Sequence, residues 1–365
     1  MTNPLSLQPV WSYRLAKERR VESRAPVLAD GKVHAVFFYE RGGFTESRLG
    51  VFDAAGGGER WSHRLAHVGN EPVVVEGGVY WSSYDGAVHA LDAEGRVRWQ
   101  APGSKVNIGV PVVQGERVIV AEILGGAAAT WCLDRATGRT IWRTETGGHA
   151  YRVVATGDRV YHSAAAPTRM DEPSRGTFCC LSLRDGRMLW SAARQDTFFS
   201  PLVCGSRVLV CDSRELHVFD AAGGRAESAL RLEPEGATMH LSAGASAEQV
   251  IVRRDSHDQG GDSLRGVCLE VKRGFFGGRR TVPRLQWTLP EERGLCGPPV
   301  QLPSGKFVYL THTGVICLFD AATGTRLAET ALGATAPAFG GIAVAEGRMA
   351  VAHGRDLHVF STAAL

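Results

Sequence analysis

One hydrophobic phrase recurs along this chain: an apolar run, a short turn usually containing Gly, and a second apolar run. Pro72-Val73-Val74-Val75-Glu76-Gly77-Gly78-Val79-Tyr80-Trp81 is the clearest copy. Others begin at Pro26, Pro111, Val153, Pro201, Pro299 and Ile342, with a weaker one at Leu241, which makes eight. Short continuous apolar runs bounded by Gly turns fit strands covered on both faces. After most copies comes a second phrase, such as Ala87-Val88-His89-Ala90-Leu91-Asp92-Ala93-Glu94-Gly95-Arg96-Val97-Arg98-Trp99. It predicts a third strand, an Asp-Gly turn and a fourth strand ending in Trp.

Four strands recurring every ~40–50 residues predict an all-β fold, an eight-bladed β-propeller with four antiparallel strands per blade. The units read Ala25 to Leu65, Asn70 to Trp99, then on to Trp142, Trp190 and the region of Leu230, a divergent sixth, and Gly297 to Leu332. Gly340 to Phe360 supplies three strands with no fourth, while Val10 to Leu15 looks like a fourth strand with no first three. The N-terminal strand, about residues 8–15, is therefore expected to complete the blade at about 338–361, closing one domain over 1–365. Trp11, Trp61, Trp99, Trp142, Trp190 and Trp287 hold equivalent positions, where a flat ring can fill the wedge between blades. Blades five and seven are expected to put Ala and Leu there.

Leu133-Asp134-Arg135-Ala136-Thr137-Gly138-Arg139-Thr140-Ile141-Trp142 resembles the D-x-x-T-G-x-x-x-W signature of the PQQ-like (quinoprotein-type) propeller repeat family. Phe319 to Gly324 and Leu183 to Trp190 are partial copies. The resemblance covers nearly the whole chain and implies the fold more than an activity, because the signature residues build blade contacts. It implies two function classes. Quinoprotein dehydrogenases place a vicinal disulfide over the PQQ ring. Similar propellers without PQQ ligands act as assembly or scaffold proteins, among them an outer-membrane assembly lipoprotein.

Composition narrows the classes. Lys plus Arg exceed Asp plus Glu by only three, so net charge by itself gives no reason to expect a nucleic-acid or membrane partner. No run approaches ~20 apolar residues, so no membrane span is expected. The first ten residues have neither a basic n-region nor an apolar core, so no signal peptide is expected. The eight Cys are accordingly expected as reduced thiols in the cytoplasm.

Reactive constellations are scarce. No H-E-x-x-H, G-x-S-x-G, Walker A or G-x-G-x-x-G occurs, so no catalytic residue, metal ligand or cofactor is assigned. Vicinal Cys179-Cys180 sits in a strand phrase, where neighbours point to opposite faces, which opposes a disulfide over a quinone. Asp255 to Asp262 is rich in oxygen ligands but lacks EF-hand spacing. His89, His217 and His358 occupy one repeated slot, which points to packing or a local hydrogen bond. Asn70, Asn107, Arg152 and His240 are candidate channel residues.

Two features suggest partner binding. Lys272, Arg273, Arg279 and Arg280 flank Phe275 and Phe276 in blade six, where other blades have a plain turn: an apolar anchor in a basic rim. An insertion at 164–176 carries Arg169, Met170, Asp171, Glu172 and Arg175, and is expected to join enlarged polar loops at 40–47 and 255–262. The expected function is a non-enzymatic cytoplasmic scaffold, monomeric on its own, presenting these loops to a protein partner. The alternative is a quinoprotein-like oxidoreductase or small-ligand binder using the central channel.

Overall fold

The computed structural model describes the chain apart from residues 1–2, 5–6, 17, 102–107, 123–128, 148, 166–175, 195, 197, 234–236, 256–260, 274–278, 335 and 364. It is all-β, an eight-bladed β-propeller of four-stranded antiparallel sheets. Among the described residues no helix is long and apolar enough to cross a membrane. Two compact units divide the chain. The first holds residues 1–105, 293–321 and 325–365; the second holds 106–292 and 322–324.

The first unit contains blades seven, eight, one and two. In blade eight, Trp11–Arg14 pairs antiparallel with Asp356–Ser361, so the N-terminal strand completes the last blade. One addition is not evident in the hydrophobic pattern: Asn3–Pro4 lies parallel to Thr325–Ala331, as a fifth strand on the outer edge of blade seven. Blade one differs from the sequence expectation. Its 40–47 region is no loop, because strands Lys32–Arg41 and Phe44–Asp53 pair through to Arg41↔Phe44. Gly42 and Gly43, at φ 59° and 86°, make the tight turn that lets both strands run long. The second unit contains blades three to six, ending in the longest hairpin, Asp262–Arg273 with Arg279–Glu291.

Within each unit the apolar core is a set of layers between adjacent blades. Val33, Ala35, Phe37 and Phe52 of blade one face Ala350, Ala352, Leu357 and Val359 of blade eight. Tyr161, Phe178 and Cys180 of blade four face Val208, Val210 and Phe219 of blade five. Alternation divides each strand between two such layers. Cys179 accordingly joins the layer shared with blade three, while Cys180 joins the one shared with blade five.

The fourth-strand tryptophans bind these layers together. The indole of Trp61 donates to the Ala93 carbonyl at 2.8 Å, Trp142 to Leu183 at 3.0 Å and Trp11 to Ala54 at 3.0 Å. Each acceptor lies in the next blade's turn between third and fourth strands, and a turn glycine sits under the ring. A Cβ on Gly95 would lie 2.6 Å from Trp61, one on Gly186 2.7 Å from Trp142, and one on Gly224 2.3 Å from Trp190. All three glycines have positive φ, so glycine answers both the close approach and the backbone conformation. The Asp that opens the turn fixes its shape. Asp134 Oδ1 accepts from the Thr137 amide and hydroxyl, which hold its pKa below the usual carboxylate value.

Blades five and seven lack this Trp, and the register corrects which residues replace it. The slot facing Val218 in blade five is Ser228, and the slot facing Leu318 in blade seven is Ala328. Neither following blade has a tight Asp-Gly turn. Blade six has its long hairpin, and blade eight receives its fourth strand from the N-terminus. The Ser228 hydroxyl donates to the Thr281 carbonyl of that hairpin, and Asn3 pairs beside Ala328.

Two predictions follow from this packing. Gly224→Ala is expected to lower stability by roughly 2–4 kcal/mol through overpacking and strain. Gly205→Ala, at φ 59° with nothing within 4 Å of its Cβ, should cost only about 1 kcal/mol. Urea unfolding midpoints compare them. The second concerns acid. Burial depresses His34 and His162 from 6.5 to about 4. The unfolded chain then binds protons more readily, so stability is full above about pH 6.5 and falls progressively towards pH 4. His162→Gln should flatten part of that decline in a series of melting temperatures against pH.

Candidate functional site

The blade-six hairpin is built in two parts. Its lower part is an ordinary sheet pair, with Asp262–Arg273 bonded to Gln249–Asp255 as far as Gln249↔Cys268. Beyond Cys268 the two strands continue without that neighbour, from Leu269↔Pro283 to Arg273↔Arg279. This arm is anchored along the outer strand of blade five, Ala226–Arg231. Thr281 is buried, and its amide donates to Glu227 Oε2 at 2.7 Å while its carbonyl accepts from Ser228. Arg207 reaches the same carboxylate at 3.1 Å. Burial works against the Glu227 charge, but the Thr281 amide and Arg207 outweigh it and its pKa is lowered.

The far end of the arm concentrates like charge. Lys272 stands directly opposite Arg280, and Arg273 opposite Arg279, with all four exposed. Among the described residues of the arm Glu270 is the one acid, 3.8 Å from Lys272 and 3.6 Å from Arg284. Residues 269–284 carry five cations and one acid, net +4, against +3 for the whole chain. The rest of the protein therefore sums to −1, and its positive charge resides in the arm. Like charges placed directly across a ladder destabilise it by ~0.2–1 kcal/mol per pair, so folding alone does not account for this arrangement. Phe275 and Phe276 lie outside the described residues, as do Arg169, Met170, Asp171, Glu172 and Arg175.

Of the four candidate channel residues, three are among the described residues. Asn70 is buried, its side-chain amide donating to Ser82 Oγ at 2.9 Å and its main-chain carbonyl accepting from Trp81 Nε1 at 2.8 Å. Asn107 lies outside the described residues. Arg152 and His240, both in the second unit, are near enough to interact. Burial, then the charges of Arg253 and Arg152, lower His240 to about 4 despite Asp255 at 3.6 Å. Arg253 is itself paired with Asp255. This is a neutral imidazole in a salt-bridged setting.

A cofactor roof is also testable here. Cys179 and Cys180 are buried in two different interblade layers. Burial raises the Cys179 thiol to about 12 and that of Cys180 above its usual value. Side chains on opposite faces of a strand do not fit a vicinal disulfide lying over a quinone, and no step through PQQ is derived. Asp212, Glu215 and His217 bring ligand atoms within 4.8 Å of one another. Asp212, however, accepts the Arg214 and Glu215 amides at 2.8 and 2.7 Å and holds His217 Nε2 at 2.6 Å. That is a turn clasp in the repeated His slot. In the same slot, His358 Nδ1 bonds Ser12 Oγ at 2.8 Å.

A family model described as outer membrane protein assembly factor BamB matches residues 2–101 and 84–327. The chain belongs to that family of PQQ-like propellers. No curated protein matches it in sequence. Among solved structures, BamB from Moraxella catarrhalis is 18% identical, covering 98% of this chain and 100% of that one, with TM-score 0.65. Quinohemoprotein alcohol dehydrogenase from Comamonas testosteroni is 15% identical over 98% of this chain and 76% of its own, with TM-score 0.67. The computationally designed Ika8 protein is 13% identical over 95% and 98%, with TM-score 0.70. At these identities the likeness is one of fold, and a shared fold spans an assembly factor, an oxidoreductase and a design.

Within this family fold, sequence reasoning missed a second exposed set in the first unit. Phe44 and Phe339 are 75% and 58% exposed. The Arg24 guanidinium lies 5.1 Å from the Phe38 ring centre and donates to Tyr84 at 3.0 Å. The signal was available in part, since Phe44 follows the Gly42-Gly43 hairpin turn. Phe339 sits beside the Gly340-Gly341 inner strand and reads like any core aromatic. The arm's cross-strand repulsion gives a prediction of its own. Lys272→Glu, facing Arg280, should stabilise the protein by about 0.2–1 kcal/mol, visible as a small rise in melting temperature that 0.5 M salt suppresses.

Proposed function

We propose that this chain is a non-enzymatic protein-interaction module in the cytoplasm, and that its blade-six arm docks an acidic surface of a partner protein. The observation that carries the reading is the register of the arm: Lys272 against Arg280 and Arg273 against Arg279, on a hairpin extending past its sheet. A partner's carboxylates relieve that repulsion on binding, and complementary charge raises the association rate. Phe275 and Phe276, between these cations in sequence, supply apolar contact of the kind that anchors interfaces. The insertion bearing Arg169, Met170, Asp171, Glu172 and Arg175 belongs to the same proposal as a second contact. Membership of a family described as an assembly factor supports a partner-binding role.

The test reverses the arm's charge. Lys272→Glu with Arg273→Glu, Arg279→Glu and Arg280→Glu keeps the same number of like-charge pairs, and should abolish capture of acidic partners seen with the unaltered protein at low salt while leaving the protein folded with a cooperative melt. Capture by the unaltered protein should itself fall steeply between 0.1 and 0.5 M salt. Retention of the same partners by the reversed variant would overturn the reading.

A further inference from the structure

A second, independent surface lies in the first unit. The turn His353-Gly354-Arg355-Asp356 of blade eight forms the floor of a cleft of about 400 Å3. One wall is the link from blade seven, with Leu332, Ala334, Ala336 and Pro337. The other carries Arg14 and Arg20 beside Glu22.

The link is held by its own backbone. Leu332 donates to the Gly314 carbonyl at 2.9 Å, Ala338 to His312 at 2.9 Å, and Gly354 to Phe339 at 2.8 Å. His353 Nε2 donates to the His312 carbonyl at 2.9 Å, and the Phe339 amide donates to Glu22 Oε2 at 2.7 Å. The cleft is thus framed by satisfied main-chain bonds and keeps its shape without a ligand.

Its charges are unevenly engaged. Arg20 pairs with Glu40 at 2.8 Å, and Arg14 with Asp356 at 3.3 Å while remaining 65% exposed. Arg355 makes no ion pair among the described residues and reaches only the Glu18 carbonyl, at 3.5 Å. Arg20 is thus taken up by Glu40 and Arg14 by Asp356, and Glu22 already accepts the Phe339 amide. The uncommitted donors belong to Arg355, whose planar fork matches a carboxylate. The link side of the lining is apolar, with Leu332, Ala336 and Pro337.

We infer that this cleft binds an extended acidic peptide segment, with a Glu or Asp carboxylate on Arg355 and Arg14 and a neighbouring apolar side chain against Ala336 and Pro337. The pairing of one cationic and one apolar wall selects a peptide over a small inorganic anion, which has no use for the second wall. A cleft of this volume takes a few residues. The inference deepens the partner-binding reading by adding a site for a short linear segment, distinct from the arm.

The experiment titrates the full chain with the peptide Ac-Ala-Glu-Leu-Glu-Ala-NH2, its Gln counterpart and inorganic phosphate, followed calorimetrically. The Glu peptide should bind at least tenfold more tightly than the Gln peptide. Arg355→Gln should weaken it by tenfold or more, with the melting temperature unchanged. The arm's fourfold Glu variant should bind the peptide like the unaltered protein. Equal binding of Glu and Gln peptides, full binding by Arg355→Gln, or phosphate binding as tightly as the peptide would each overturn the inference. If only the arm variant loses the peptide, the cleft is refuted while the arm's role stands.

Discussion

An indole ring pressed onto a glycine is the contact on which this repeat architecture depends. Each blade is a small sheet whose two faces are apolar, and such a unit cannot bury both faces alone. The Trp at the outer strand reaches into the next blade's turn, donates to its first carbonyl and covers its glycine. The contact thereby sets both the spacing and the rotation of one sheet against the next. It also explains why the turn must be tight: only a short Asp-capped reversal puts the carbonyl and the glycine under the ring together.

The exceptions obey the same constraint. Ser228 and Ala328 stand in the two slots without Trp, and in both cases the following blade has no tight turn to receive one. Blade six spends that position on its arm, and blade eight on the entry of the N-terminal strand. Losing a Trp is therefore tied to gaining an added segment: the arm is bonded to Ser228, and the Asn3 strand lies beside Ala328.

Surface chemistry follows from where the scaffold leaves polar groups without internal work. Most of the described acids and bases cap turns or pair across strands, as Asp212 does with His217 and Glu227 does with Arg207. The arm's cations oppose one another, and Arg355 has a single long contact. Both stand on hydrogen-bonded frames, so their geometry is prepared before any partner arrives, which lowers the ordering cost of binding.

Local pattern alone determined the repeat, the all-β class, the closing role of the N-terminal strand and the opposite orientations of Cys179 and Cys180. These follow from strand alternation and from the fixed distance between Asp-Gly turn and Trp, both short-range properties. Cross-strand register and side-chain partners required the tertiary structure. Ser228 fills the Trp slot of blade five through a bulge between Val218 and Phe219, and counting eight positions on from Asp220, as from Asp134 to Trp142, reaches the same residue. Glu40 to Ser47 reads as a polar loop because charged residues at a sheet's projecting end look like loop residues, although the backbone pairs throughout. The cleft around Arg355 was invisible for the same reason. Its walls, near residues 14–22 and 332–338, are more than three hundred positions apart and meet only because the N-terminal strand joins the last blade.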